Sequence, residues 1–289
     1  MSRIRPNQPT VRPSTKRCFV LLVILFTTVG CRGSVWNPRG NSLGDNPGKP
    51  TTTLTVFAAA SLTESFLDIA DRFEADNPGV KLDFNFAGSQ QLSQQLVQGA
   101  TADLFASADK EYIDSLVEAG ILDKGSEQIF ANNRLAVIFR KDGRIPIHKL
   151  EDLASPGVHL VIGAESVPIG RHSLEFLERI SSAEAFGPTF KDDILRNVMS
   201  YEENVKAVLS KVILGEADAG IVYDSDTLTL DPGEIGVIPI PEAYNPIARY
   251  YIAALPASAN QDLSSRFIEF ILSATGQEIL KSNGLIPVQ

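Results

Sequence analysis

From Leu54 onward, short apolar runs alternate with amphipathic segments of helical period, and this alternation confines the chain to an α/β architecture. Residues 54–58 read as a strand, after which Leu62, Phe66, Ile69 and Phe73 recur at helical spacing as far as Asp76. Residues 80–86 alternate as a strand does, 90–98 read as a helix, 104–107 as a strand, and 110–119 as a helix ended by Gly120. The scheme repeats with strands at 135–140, 160–163, 219–223, 237–240 and 249–255 and helices at 173–180, 205–214, 262–274 and 277–282. This βαβα order predicts mostly parallel sheets with helices on both faces. The span 54–289 is long for one doubly wound sheet, so two α/β lobes are expected. No Pro/Gly/Ser-rich linker interrupts it, which predicts lobes joined by crossing strands near Asn133-Arg134 and Pro239. The boundaries that follow are 54–133 for the first part of lobe 1, 134–239 for lobe 2, and 240–289 for a segment returning to lobe 1.

The chain ahead of Leu54 has a different character. Arg3, Arg5, Arg12, Lys16 and Arg17 come without an acid among them, and residues 18–29 are almost wholly apolar. That is the layout of a signal peptide, and the apolar run is too short to span a bilayer comfortably. Thr28-Val29-Gly30-Cys31 has the form of a lipobox, so residues 1–31 are expected to be a lipoprotein signal with Cys31 as the acylated N-terminus. The alternative is an ordinary secretory signal with a stray cysteine. Either way the product is exported, to the periplasm or the cell surface, and the lipid would attach it to a membrane. Residues 32–53, rich in Gly, Pro, Ser, Thr and Asn, read as a flexible tether about 25 Å in coil dimension.

Cleavage also removes Cys18, so disulfides, thiolate metal sites and cysteine nucleophiles are excluded from the folded part. Loss of the five signal cations moves the formal net charge from −9 to −14. An acidic chain with no basic stripe is a poor partner for nucleic acid. It can still hold an anion if the site supplies local donors.

Four connections place small or hydroxylated residues where a strand ends and a helix begins. In Ala58-Ala-Ala-Ser61-Leu-Thr-Glu64, Ser61 and Glu64 have capping-box spacing. Ser89 follows Gly88 and opens the next helix, Val167-Pro-Ile-Gly170 precedes another, and Glu202-Glu-Asn-Val205 opens a fourth. Each terminus leaves amides unpaired and carries partial positive charge, which suits an anion. Each is equally explained as an ordinary helix cap, and spacing does not decide between the two.

Read in order, Ala58-Ala-Ala-Ser61-Leu-Thr-Glu64, Phe86-Ala-Gly-Ser89, Ala102-Asp-Leu-Phe-Ala-Ser-Ala-Asp109, Val167-Pro-Ile-Gly170 and Gly220-Ile-Val-Tyr-Asp-Ser-Asp226 resemble the periplasmic molybdate-binding protein family. The resemblance implies a type II periplasmic-binding-protein fold: two α/β lobes joined by hinge strands, with the ligand in the interlobe cleft. It implies molybdate or tungstate as ligand, closure of the lobes upon it, and delivery to the membrane permease of an ABC transporter. Carried across residue by residue, the ligand-binding set is Ser61 and Ser89 from lobe 1 with Ile169, Val205 and Tyr223 from lobe 2. Ser61, Ser89 and Tyr223 would donate hydroxyl hydrogen bonds, whereas Ile169 and Val205 would offer only backbone N–H. Ile169 is bulkier than the residue many relatives carry, and Gly88 replaces a serine found in some. The carboxylates of more distant archaeal relatives have no clear counterpart, although Asp224 and Asp226 lie close by. The resemblance implies no catalytic residue, no cofactor and no side-chain ligand to a metal; molybdenum enters only as the oxyanion. A monomer is expected.

Rival readings are weaker. A serine hydrolase could draw on Ser173, His172, His148 and His159, but no Gly-x-Ser-x-Gly elbow occurs. Another small oxyanion, sulfate or phosphate, would fit the same fold, though phosphate usually wants a carboxylate to accept its remaining proton. A metal-ion carrier is disfavoured because the three histidines show no i, i+4 pairing. Arg171 follows the 167–170 turn and either reaches the anion or points to solvent. The tail from Gly284 to Pro287 reads as a packing element.

Overall fold

The computed structural model describes residues 51–288. The expected signal peptide, the expected acylation at Cys31 and the expected tether as far as residue 50 lie outside the described residues. Strand β1 (Thr52–Ala59) starts two residues before the expected strand start at Leu54, within the expected tether. Its buried positions, Leu54, Val56 and the residues from Phe57 to Ala59, suit a strand covered on both faces. It is followed by α1 (Thr63–Asp76), β2 (Val80–Ala87), α2 (Ser89–Val97), β3 (Leu104–Ser107), α3 (Lys110–Glu118) and β4 (Gln128–Asn133). Next come β5 (Leu135–Arg140), β6 (Leu160–Gly163), α4 (Pro168–Ser181), α5 (Phe190–Arg196), β7 (Val198–Glu202), α6 (Val205–Ile213), β8 (Ala219–Tyr223) and β9 (Ile235–Pro239). The chain ends in β10 (Ala248–Ala254), α7 (Gln261–Leu272) and α8 (Ala274–Ser282). None of the described helices is long and apolar enough to cross a membrane.

Two five-stranded sheets result, ordered β2-β1-β3-β10-β4 and β7-β6-β8-β5-β9. Both are mixed, where mostly parallel sheets were expected. In the first, β1 runs parallel to β2 and β3 while β10 is antiparallel to β3 and β4; in the second, β6 runs parallel to β7 and β8 while β5 is antiparallel to β8 and β9. The reversed strand in each sheet is the one that brings the chain in from the other sheet. Only Arg134 separates β4 from β5, too short a connection for a crossover helix, and the return runs from Pro239 to Ala248. The buried side chain of Asn245 joins the two crossings: its Oδ1 accepts from the Leu135 amide at 2.9 Å, and its Nδ2 donates to the Leu135 carbonyl at 2.8 Å.

Helices cover both faces of the first sheet. Phe66, Ile69 and Phe73 of α1 pack with Phe267 of α7 in the main core, while Leu92 and Leu96 of α2 and Ile113 and Leu116 of α3 close a second cluster with Phe57 and Phe105. Each fully buried side chain of this size contributes about 1.5–3 kcal/mol. The tail after α8 adds an antiparallel bridge, Asn132 to Ile286, at the end of β4.

The expected helix at 173–180 begins earlier, at Pro168, because proline in the first turn gives up no needed N–H. The expected capping box at Ser61 and Glu64 does not form. Residues Ala60–Leu62 make a 3-10 turn ahead of α1, and Thr63 donates to the Ala60 carbonyl at 2.7 Å, which frees both side chains for other partners. Strands β4 and β7 and helix α5 were not expected. Strand β7 pairs on one side only and reads Val-Met-Ser-Tyr-Glu without an apolar run, while β4 starts with Gln128 and ends in Asn132-Asn133.

Candidate functional site

Between the two sheets, at the ends of their strands, lies a cavity of about 240 Å³. Ser61, Ser89, Ile169, Val205 and Tyr223 all line it, together with small residues such as Ala60 and Gly88. That volume includes space open to solvent at the mouth, so the enclosed part has room for an occupant of only a few heavy atoms.

Four chain turns supply the wall. Ser61 sits in the 3-10 turn after β1; Ser89 is the first residue of α2, Ile169 the second of α4, and Val205 the first of α6. The first-turn amides of these helices have no intrahelical acceptor and carry the positive end of the helix dipole. At α6 the Asn204 side chain caps the Ala207 amide at 3.0 Å, and at α2 the Gly88 amide donates to the Gln91 side chain at 3.1 Å. These caps fix the helix starts without using the Ser89 or Val205 amide.

The side chains add donors. The hydroxyl of Tyr223 is buried and has no hydrogen-bond partner among the described residues. Burial holds its phenol well above the usual tyrosine range, so it stays protonated and can donate. Ser89 Oγ accepts from the Ala108 amide at 3.2 Å, which leaves the serine proton free. Ser61 Oγ lies 2.9 Å from the hydroxyl of Tyr250. Among the described residues no Lys or Arg lines the cavity, and the one acidic residue that does, Glu203, is engaged elsewhere: its carbonyl accepts from Gln90 and its carboxylate from Gln91, both at 2.7 Å. The cavity therefore offers mainly hydrogen-bond donors; Gln90 Oε1 is the one buried acceptor among its lining side chains that has no partner among the described residues.

Polar contacts between the two lobes surround the cavity. Besides the Gln90 and Gln91 bonds to Glu203, Lys206 of α6 reaches Glu64 of α1 at 2.8 Å and Asp226 at 2.9 Å. Burial works against the Lys206 charge, but Asp226 and Glu64 outweigh it and hold the ammonium above its ordinary range. Asp226 is itself buried, and burial lifts its carboxyl to about 6 while Lys206 pulls the other way. Asp226 thus serves a cation behind the wall, and neither it nor Asp224 lines the cavity.

Arg171 neither reaches the cavity nor points freely into solvent. It pairs with Asp109 at 2.8 Å and Glu111 at 3.2 Å and lies over the Tyr112 ring, 5.0 Å from its centroid. Tyr112 in turn donates to the Ser166 carbonyl of the opposite lobe. The residues of the hydrolase reading do not assemble. Ser173 donates to the Ile169 carbonyl at 2.7 Å, His172 is partly buried beside the Tyr223 ring with desolvation lowering its pKa, and His159 lies against Arg144. Among the described residues no group of three His, Cys, Asp or Glu side chains could hold a metal ion.

Sequence reasoning missed Tyr250, Asn133, Lys206 and Glu64 as members or supports of this site. Their partners are far away along the chain, as with Ser61 and Tyr250, separated by 189 positions. No local spacing marks them.

The bacterial extracellular solute-binding protein family model matches residues 54–286. The molybdate-binding protein ModA of Mycobacterium tuberculosis (strain H37Rv) is 38% identical over 247 residues, covering 84% of this chain and 89% of that protein. A solved substrate-binding domain of a putative molybdenum ABC transporter from Clostridium difficile is 30% identical with a TM-score of 0.62, covering 83% of this chain and 100% of that one. The sulfate-binding protein SubI of Mycobacterium tuberculosis shares the fold, with a TM-score of 0.73 at 18% identity over 82% of this chain and 88% of that one. Members of this family are transport components that bind a solute and catalyse no reaction. With two lobes, a donor-lined cavity between them and this similarity along nearly the whole described length, the chain belongs to the bacterial extracellular solute-binding protein family, among relatives named as molybdate-binding proteins.

Proposed function

We propose that the interlobe cavity binds molybdate, and tungstate by the same contacts, outside the cytoplasmic membrane for delivery to an ABC permease. The observation that carries this reading is the unpartnered Tyr223 hydroxyl, buried in a wall of hydroxyls and first-turn helix amides. An unsatisfied buried hydroxyl costs about 1–3 kcal/mol, and a bound oxyanion removes that cost. A dianion entering the cavity loses its hydration, so each lost water contact needs a fixed dipole in return. Hydroxyls of Ser61, Ser89 and Tyr223 and amides including those of Ile169 and Val205 supply such dipoles from both lobes. Charge-assisted hydrogen bonds contribute about 1.5–3 kcal/mol each, enough for tight binding without Lys or Arg.

The donors are divided between two lobes, so only the shut arrangement satisfies the ligand fully, and binding shifts the protein toward it. The shut form is what a permease would recognise. The protein acts as a monomer held to a membrane by an acylated Cys31, a reading supported by the charged start, the short apolar run and the lipobox. The relatives' names favour molybdate over sulfate, and a rigid cage sized for the larger anion would leave some donors stretched around sulfate.

The test is calorimetric titration of residues 32–289 with molybdate, tungstate, sulfate and phosphate. Molybdate and tungstate should bind most tightly, and Tyr223→Phe should weaken molybdate by about 1–3 kcal/mol while leaving the ligand-free melting temperature level or higher. Sulfate binding more tightly than molybdate overturns the assignment.

A further inference from the structure

Behind Ser61, on the side away from the cavity, runs a chain of hydrogen bonds whose direction is fixed from one end. Asn133 closes β4 where the chain leaves the first sheet, and its Oδ1 accepts from the Arg134 amide at 2.9 Å. A backbone N–H can only donate, so this bond settles which end of the side-chain amide is oxygen. The Nδ2 group must then donate, and it faces Ser225 Oγ at 2.9 Å and the Tyr250 hydroxyl at 3.4 Å. With its oxygen accepting from Asn133, Tyr250 sends its own proton along the remaining bond, 2.9 Å to Ser61 Oγ. Ser61 Oγ is thereby an acceptor on its inner side, and its single proton is left for the cavity. Tyr250 has no freedom to turn away: it is fully buried, edge-on to Phe130 and to Tyr223 with ring centroids 6.1 Å and 5.9 Å away. Ser89 is polarised in the same sense by the Ala108 amide.

We propose that Tyr250 and Asn133, neither of which lines the cavity, are positioning residues that fix the Ser61 hydroxyl as a donor and so make the site favour fully deprotonated oxyanions over those that keep a proton. This inference rests on the oxyanion reading above and adds to it a selection by proton count, separate from selection by size. An oxyanion bearing O–H needs an acceptor, and a serine free to rotate could offer a lone pair. The Asn133–Tyr250 chain occupies one of the two Ser61 lone pairs and directs the serine proton into the cavity, which makes Ser61 a poorer acceptor than a serine free to rotate. Because the chain begins at the crossing between the sheets, it also ties the orientation of a ligand-contacting hydroxyl to the backbone of β4 and β5.

The experiment compares molybdate, sulfate and hydrogen phosphate on the wild type, Tyr250→Phe and Asn133→Asp, by calorimetry near pH 8 with hydrogen phosphate measured in competition with molybdate. Sulfate, which carries no proton, is the control for a general loss of binding. Removing the phenol hydroxyl lets Ser61 rotate, and molybdate and sulfate should weaken together by about tenfold. Hydrogen phosphate should weaken less or gain, so that the molybdate-to-hydrogen-phosphate ratio narrows by about tenfold. Asn133→Asp turns the starting donor into an acceptor at nearly constant size and should narrow the same ratio. Its added charge acts alike on every dianion, so the ratio reads polarity alone. If all three anions weaken by one common factor, if none changes, or if hydrogen phosphate stays undetectable while molybdate weakens, the proposal is overturned. Melting of the ligand-free variants shows which of the two is folded, and either one suffices. A wild type that fails to bind molybdate sinks the functional reading, whereas variants that keep the wild-type ratios sink only this inference.

Discussion

At the scale of single residues, the wall of the cavity and the layer behind it follow opposite electrostatic rules. The wall holds neutral donors. Behind it Asp226, buried and lifted to about 6, shares Lys206 with Glu64. Since the folded pKa lies above the unfolded carboxylate value, the native state binds the extra proton first as pH falls, and Asp226 contributes stability that grows downward through that window. Wild type should therefore gain stability relative to Asp226→Asn as pH drops from about 6 to 4, by on the order of 2 kcal/mol. Urea unfolding of both proteins across that range checks this, and a difference that stays flat removes the raised pKa. Arg171 teaches a related point. Beside the cavity in sequence, it is drawn off by Asp109, Glu111 and the Tyr112 ring, and that keeps a full cation away from a site working through fixed dipoles.

Helix starts and tight turns decide the site at the scale of elements. Gly88 lies between β2 and α2, where a Cβ would meet the Glu203 carbonyl of the opposite lobe at 2.6 Å and the Gln90 side chain at 2.5 Å. The Gln90 side chain can move aside, but the carbonyl is backbone. Gly88→Ala should leave the ligand-free melting temperature within about a degree, because the obstructing carbonyl belongs to the other lobe, and should weaken molybdate about tenfold or more by obstructing closure. Calorimetry and melting curves on one preparation separate these effects; an unchanged affinity would mean the lobes need not approach so closely. The elements themselves were largely legible. The strands at 104–107, 135–140, 160–163 and 219–223 have the expected bounds because each is a buried apolar run closed by polar or small residues. Strand β7, half exposed along an edge, carries no comparable signal.

For the whole molecule, polar contacts between the lobes bias the open and shut arrangements. Lys206–Glu64, Arg171–Asp109 and the Gln90 and Gln91 bonds to Glu203 all connect residues of one lobe with residues of the other. Glu64 is partly exposed, so its pair is worth at most about 1 kcal/mol. Glu64→Gln should speed molybdate release about two- to fivefold in stopped-flow displacement, with a smaller effect in high salt. A release rate equal to wild type would mean this pair does not hold the lobes together.

The sequence by itself determined the α/β class and most of the strands and helices, and the resemblance of its ordered motifs to a known family implied the five residues that the structure places along the cavity, Ser61, Ser89, Ile169, Val205 and Tyr223. Those features are local: apolar periodicity reports which faces are buried, and each motif is a strand end running into a helix start. Only the tertiary structure decided that Ser61 bonds Tyr250 instead of capping α1, that Glu64 turns to Lys206, and that both sheets carry a reversed strand. Ser61 and Glu64 each have a capping option and a distant partner. Which option wins depends on the 3-10 turn and on partners brought near by the crossings at Arg134 and Asn245, and no window of local sequence contains both sides of that competition.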